Sequence, residues 1–146
     1  MTGPHLVVAL EPTPAPAVVG YVADLVDAGI PVGLVLVDEA AVARFRDSGA
    51  VPARPHLDVL ALVPDEKSLW LPRLLSGRLR RLYSAVVRPW LLGRRWRALD
   101  TRAASAERVV AADVAAITLV WHLGRRHPHV VATTALEPPA ALRRTS

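Results

Sequence analysis

Acidic and hydroxyl side chains follow the apolar runs of this chain, at positions where parallel strands would end. The candidates for a ligand crevice are Glu11, Thr13, Asp38, Asp65 and Asp113. Because the carboxyl ends of parallel strands meet at one edge of a sheet, we expect Glu11 and Asp113 to lie at the same edge. Asp38 and Asp113 also precede helical patterns, so helix capping is the simpler interpretation of these two acids.

Several common chemistries are missing from the sequence. The loop after the first apolar run, residues 11–16, reads EPTPAP where dinucleotide-binding proteins have a Gly-x-Gly-x-x-Gly turn. Proline lacks the backbone N–H that would bind a pyrophosphate, and no Walker A sequence occurs either. Glu11, Asp38 and Asp65 could form a phosphoacceptor cluster, but Thr133 and Thr134 stand where such a site needs a lysine. The chain has no cysteine, which excludes thiol nucleophiles and Cys-based zinc sites, and we predict no cofactor.

Histidine and tryptophan add little to this list of chemistries. His122, Arg125 and Arg126 could share one helix face, but no carboxylate stands at ligand spacing, so no metal site is predicted. Three of the four tryptophans lie within residues 67–102. We expect at least two of the four to pack in the core, although indole rings in a basic segment could also enter a membrane interface.

Positive charge is concentrated in the middle of the chain. The net charge is +5, yet residues 73–102 contain nine arginines and a single acid, Asp100, which is a net +8. We expect these arginines to form an exposed surface for an anionic membrane, a lipid-linked acceptor or an acidic partner. Nucleic-acid binding is not predicted, because the arginines are not interleaved with exposed aromatic side chains in a recognisable module. The candidates for this anionic-surface contact are Arg80, Arg81, Arg88, Arg94, Arg95 and Arg97.

Strand and helix patterns alternate along the rest of the chain. Short apolar runs rich in β-branched residues predict strands at residues 5–10, 30–37, 57–63, 107–111 and 129–133. Helical spacing predicts helices at 18–28, 39–47 and 114–126, with Gly29 and Gly49 ending the first two. Residues 67–99 are compatible with helix but are expected to break at Pro72, Gly77, Pro89 and Gly93.

These elements predict an α/β fold, a three-layer Rossmann-like domain. Its sheet would have about five parallel strands in the order 3-2-1-4-5, with a basic helical insertion between strands 3 and 4. We expect one domain at residues 1–136, with the insertion at 67–102, and a flexible tail at 137–146. No basic segment precedes the first apolar run and no apolar run is long enough for a membrane span, so a cytoplasmic protein is expected. Peripheral attachment to the inner face of the membrane is a further hypothesis.

Residues 108–134, RVVAADVAAITLVWHLGRRHPHVVATT, resemble the end of the N-terminal domain of GT-B-type glycosyltransferases of the family 4 kind. In those enzymes a strand, a polar turn, a helix ending in Arg-Arg-x-Pro and a further strand lead to an acceptor-facing loop. The basic helical segment before residue 108 and the order of the first three strands are similar as well. The chain departs from the family at its proline-rich first loop, and only Asp113 remains of the polar residues usual after the fourth strand. It also has no donor-binding C-terminal domain.

Three functions are compatible with these observations. The resemblance implies a glycosyltransferase-like N-terminal domain, an acceptor- or partner-binding half that transfers no sugar alone and works with a donor-binding partner subunit. A second hypothesis is a non-catalytic Rossmann-like interaction module that binds an acidic partner or an anionic membrane through its arginines. A small-molecule or nucleotide-binding regulatory protein is the third. Whether the chain is an enzyme therefore stays open at this stage.

Overall fold

The computed structural model describes residues 3–63 and 88–137, with side chains for 3–62 and 96–137. In these two segments five strands alternate with four helices. In chain order they are β1 (His5–Ala9), α1 (Pro16–Asp27), β2 (Val32–Asp38), α2 (Glu39–Asp47), β3 (Leu57–Val63), α3 (Arg88–Ser105), β4 (Arg108–Ala111), α4 (Val114–Arg126) and β5 (Val131–Thr133).

The strands form one parallel sheet in the order β3-β2-β1-β4-β5, which confirms the predicted fold class and strand order. β1 is the central strand. Its Val7 pairs with Leu34 of β2 on one side and with Val110 of β4 on the other. The order reverses between β1 and β4, so the carboxyl ends of these two strands flank the position where such sheets bind ligands.

Each face of the sheet is covered by a separate hydrophobic core. Alternate residues of β1 point to opposite faces, so Val7 packs with α1 and α2 while Val8 packs with α3 and α4. Both side chains are fully buried. Strands with an apolar core on each side read as continuous apolar runs, and this is why β1, β2 and β4 were visible in the sequence.

Asp38 and Asp113 begin α2 and α4 as predicted, and glycines follow the ends of α1 and α2. The carboxylate of Asp38 accepts from the Ala41 amide at 2.7 Å at the start of α2. Gly29 and Gly49 follow α1 and α2 with φ of 74° and 62°. Such left-handed backbone is open to glycine at little cost, so both helices end where the sequence indicated.

Some element boundaries differ from the prediction. β2 begins at Val32, because Ala28 and Gly29 form the turn after α1 and the Ile30 amide still bonds back to the Leu25 carbonyl of that helix. β5 begins at Val131, since Val130 still bonds back to His127 in a turn and pairing with β4 starts one residue later. α3 runs without interruption past Gly93, where a break was predicted. A glycine inside a helix costs only about 1 kcal/mol, and packing of the helix on the sheet can offset that cost.

Some sequence predictions lie outside the described residues. They are Asp65, Arg80, Arg81, the part of the basic insertion before residue 88, and the tail from residue 138. Among the helices that the structure does describe, none combines the length and the apolar character needed to cross a bilayer.

Candidate functional site

The crevice at the carboxyl edge of the sheet is built around Asp113. One carboxylate oxygen of Asp113 accepts from the Ala116 amide at 2.9 Å and caps α4. The other accepts from the Glu11 amide, also at 2.9 Å, in the loop that follows β1. The structure therefore brings Glu11 and Asp113 together across the switch point, as the strand order requires.

A second contact holds the same loop from the other side. Arg44 of α2 donates from Nη2 to the Pro12 carbonyl at 2.8 Å. The loop at residues 10–15 is thus tied to α4 by Asp113 and to α2 by Arg44. Two tethers on a loop rich in proline fix its backbone while leaving the exposed Glu11 and Thr13 side chains outside these tethers.

The crevice offers oxygen atoms and few amides. Glu11 and Thr13 are exposed, and Asp38 is half-buried at the end of β2, where it caps α2. Prolines at 12, 14 and 16 remove three amides that could have faced a phosphate. Carboxylates and carbonyls accept hydrogen bonds from hydroxyl groups, whereas they repel phosphate oxygens. The edge is therefore suited to a neutral, hydroxyl-bearing ligand.

The arginine candidates are placed by α3. Arg97 is exposed near the middle of the helix. Arg88, Arg94 and Arg95 lie on its earlier turns, for which the backbone alone is described. The only acid of the basic stretch, Asp100, reaches across to α4.

Asp100 forms an ion-pair cluster that the sequence analysis missed. Its carboxylate accepts from Arg126 Nε at 3.0 Å and from His127 Nε2 at 2.8 Å. The bond from His127, followed by the contact with Arg126, holds the pKa of Asp100 below its ordinary value, although partial burial acts in the opposite direction. His127 is the residue at which α4 ends, so the cluster fastens that end to α3.

An open groove of about 450 Å³ lies between α3 and α4, and the described residues that line it are aromatic or cationic. The guanidinium of Arg125 lies 4.9 Å from the ring centre of Trp121, and the His122 ring meets the same indole edge-on at 5.0 Å. The remaining lining residues are Trp96 and Arg126. The shared helix face of His122, Arg125 and Arg126 was foreseen, but the two indoles beside it were not.

Two tryptophans can be compared with the expectation of core packing. Trp96 is half-buried against the core between α3 and the sheet, as predicted. Trp121 is 52% exposed and is therefore not part of the core. Val114 and Ile117, two turns and one turn earlier on α4, are exposed at 80% and 43%. The outward face of α4 is therefore apolar at positions that a solvated helix would fill with polar residues.

A buried polar pair lies at the opposite edge of the sheet. His5 opens β1, is 3% exposed, and its Nδ1 lies 3.3 Å from the hydroxyl of Tyr21 on α1. Burial lowers the pKa of His5, and the nearby Arg108 lowers it further. Burial also raises the pKa of Tyr21. Both side chains are therefore neutral near pH 7, and the pair serves packing more than chemistry.

Comparisons with known proteins give a fold and no family. No protein-family model matches the chain, and no curated protein matches its sequence. Among solved structures, TcCGT1 in complex with UDP is similar at a TM-score of 0.51 and 16% identity. The fold is GT-B-like. The alignment covers 99% of this chain and 33% of TcCGT1, so the chain spans about a third of the length of that protein.

The GT-B-like fold places the described side chains in two separate regions. The crevice at the carboxyl edge carries the exposed Glu11 and the half-buried Asp38 and Asp113. The groove between α3 and α4 carries cationic side chains and indoles. In residues 3–63 and 88–137, no three histidine or acidic side chains are grouped closely enough to hold a metal ion.

Proposed function

We propose that this chain is the N-terminal, acceptor-side half of a GT-B-type glycosyltransferase of the family 4 kind, and that it works with a separate donor-binding subunit. The observation that carries the proposal is the crevice beside Asp113, which lies at the switch point of the sheet and presents oxygen atoms instead of a phosphate cradle. The similarity of the fold to TcCGT1 over one third of that protein's length supports the glycosyltransferase-like part of the proposal.

The chemistry of the crevice favours an acceptor over a donor. A sugar acceptor presents hydroxyl groups, for which Glu11, Thr13 and Asp38 supply hydrogen-bond acceptors. A nucleotide-sugar presents a diphosphate, which binds to amides and cations. The loop has no cationic side chain of its own and no amide at its prolines, and Arg44 beside it is already bonded to the Pro12 carbonyl. The acceptor-side half can therefore bind its ligand alone, whereas transfer requires the donor to be brought by a partner.

Two measurements test this function. The isolated protein should transfer no sugar from UDP- or GDP-activated donors. Turnover of any of these donors by the pure chain would contradict the proposal that a separate subunit binds the donor. Neutral oligosaccharides should instead bind at the crevice, with resonances of residues 10–15 shifting in NMR titrations. Glu11→Gln and Thr13→Ala should each weaken this binding, while Asp24→Asn, an exposed acid on α1, serves as the matched control.

If no oligosaccharide shifts the loop resonances, or if the Asp24→Asn control weakens binding as much as Glu11→Gln, the acceptor assignment is wrong. Addition of candidate donor-binding subunits tests the two parts of the proposal separately, namely acceptor binding by this chain and donor binding by a partner. Turnover in the mixture, lost with Glu11→Gln, supports a shared catalytic cleft. Turnover that is indifferent to Glu11 would place the acceptor elsewhere.

A second candidate function is binding of an acidic partner or an anionic membrane through the arginine-rich segment. The exposed Arg97 on α3, with Arg94 and Arg95 on the preceding turn, favours it. Each basic residue close to an anionic surface contributes about 1 kcal/mol, weakened by salt. Sedimentation with phosphatidylserine vesicles should be salt-sensitive. It should be lost when Arg94, Arg95 and Arg97 are replaced by glutamate, even though Arg44 and Arg46 of α2 are unchanged in that variant. Equal binding to neutral vesicles would rule out the electrostatic version.

A further inference from the structure

The groove between α3 and α4 is separate from the crevice. Trp121 lies eight residues after Asp113, the residue that caps α4, which is about 12 Å along the helix axis at 1.5 Å per residue. The groove residues come from the middle of α3 and the last turns of α4, whereas the crevice is formed by the loop after β1 and the start of α4. A ligand in the groove would therefore not occupy the acceptor crevice.

Arg125 is held in position by the Trp121 ring and has no hydrogen-bond partner among the described residues. Its guanidinium lies on Trp121, and no carboxylate in residues 3–63 or 88–137 pairs with it. Stacking on an indole orients a guanidinium without using its N–H donors, which stay directed in the plane of the group. A planar fork of donors fixed in this way matches the oxygens of a phosphate.

Arg126 and His122 add to this anion-binding edge. Asp100 engages Nε and Nη2 of Arg126, which orients that side chain and leaves Nη1 without a partner among the described residues. The His122 ring touches Trp121 and hydrogen-bonds to none of the described residues. Two oriented guanidinium groups and one imidazole therefore border the same opening.

The apolar wall of the groove is aromatic on both helices. Trp96 comes from α3 and the half-exposed Trp121 from α4. Indole faces bind flat rings by stacking, and each stacked ring typically adds about tenfold or more to affinity. An opening of about 450 Å³ is large enough for a monocyclic compound.

We propose that this groove binds a phosphate monoester of a ring compound, with the phosphate on Arg125 and Arg126 and the ring against Trp121 and Trp96. The site is independent of the acceptor crevice and does not rest on the function proposed for it. It assigns a role to the exposed indole and to the unpaired arginine, which neither the cores nor the crevice use.

Three small probes and a neutral one test the site on the full chain. Phenyl phosphate carries an aromatic ring and glucose 6-phosphate carries a sugar ring. Inorganic phosphate has the charge without a ring, and glucose has the ring without the charge. Binding is followed by the indole N–H resonances of the four tryptophans, assigned with Trp96→Phe and Trp121→Leu. We expect one of the two ring phosphates to bind about tenfold more tightly than inorganic phosphate and to shift the indole signals of Trp96 and Trp121. Which of them binds more tightly identifies the ring.

Two variants separate the phosphate contact from the ring contact. Arg125→Gln should weaken the ring phosphate at least tenfold, while Arg54→Gln, an exposed arginine on the loop before β3, should leave it unchanged. Trp121→Leu should abolish the preference for the ring phosphate over inorganic phosphate. Melting curves of all three variants report whether the fold is intact.

Three results would overturn the assignment. These are no shift of either indole up to 10 mM of both ring phosphates, equal affinity for the ring phosphates and inorganic phosphate, and an equal loss in Arg54→Gln and Arg125→Gln. A failure here leaves the acceptor crevice untouched, because the probes for the crevice are neutral and are read at residues 10–15.

Discussion

Replacing Asp100 by alanine should detach the end of α4 from α3 and lower the stability of the fold. The carboxylate bonds to His127, whose side chain is 15% exposed, and to Arg126, whose side chain is 59% exposed. A hydrogen bond to a charged group contributes about 1.5 kcal/mol, and an exposed ion pair about 0.5 kcal/mol. The expected loss is therefore about 2 kcal/mol, which for a chain of this size lowers Tm by about 4–8 °C.

Urea unfolding and thermal melting followed by circular dichroism measure this loss, with Asp24→Ala as the control. Asp24 is an exposed acid on α1, so its removal should change stability by less than about 0.5 kcal/mol. In double-mutant cycles, Asp100 should couple more strongly to His127 than to Arg126, because the His127 contact is better shielded from water. If Asp100→Ala costs no more than the control, or if the coupling to Arg126 is the larger, the cluster does not join the two helices.

The same carboxylate gives the cluster a pH dependence whose sign follows from the lowered pKa of Asp100. Its pKa in the unfolded chain is the ordinary value of 3.8, and in the folded chain it is lower. The contribution to stability is therefore complete above pH 3.8 and is lost as the pH falls through the folded pKa. The stabilities of the natural chain and of Asp100→Asn should converge below that value, and a constant difference down to the lowest pH would contradict the assignment.

Three further predictions concern other parts of the fold. Gly124→Ala should destabilise the chain by about 1–2 kcal/mol although alanine has the better helix propensity, because the added Cβ would lie 2.8 Å from the Cβ of Ala132. In the double variant, Ala132→Gly should restore the stability. The pKa of His5 is lowered in the folded chain, so below pH 6.5 the unfolded chain binds a proton at this residue before the folded chain does, and stability falls with pH. His5→Gln should make this fall less steep. If the free energy of unfolding in urea depends on pH in the same way in the variant, the reasoning is refuted. Asp113→Ala should cost about 1–2 kcal/mol through the lost cap of α4 and increase amide exchange at Glu11, whereas Asp38→Ala should give a similar cost without changing exchange there.

The sheet could be predicted because its information is local in the sequence. β1, β2 and β4 are short apolar runs with a core on both faces, as Val7 and Val8 show, and handedness rules leave few strand orders for such a chain. The caps at Asp38 and Asp113 and the stops at Gly29 and Gly49 were equally local. Strand ends were less certain, since the start of β5 depends on a turn that bonds Val130 to His127.

The surface sites could be predicted only in part, because they join residues that are distant in the chain. Asp100 stood out in the sequence only as the single acid of a basic stretch, because its partners lie 26 and 27 residues away at the end of α4. Likewise, Trp96 and Trp121 meet in one groove only when α3 and α4 cover the same face of the sheet. Periodicity shows which side of a helix is apolar, but it does not show which second helix lies beside it.

The central position of β1 has a consequence for the order in which the protein is made. β1 pairs with β2 through residues that leave the ribosome early, but its other edge pairs with β4, about a hundred residues later in the chain. Until β4 is synthesised, an apolar strand therefore presents a free edge, and such edges are where nascent chains associate wrongly. Slow translation between β3 and β4 should accordingly increase chaperone dependence and lower soluble yield. Substitutions that weaken β4 pairing should do the same even when the finished fold is stable.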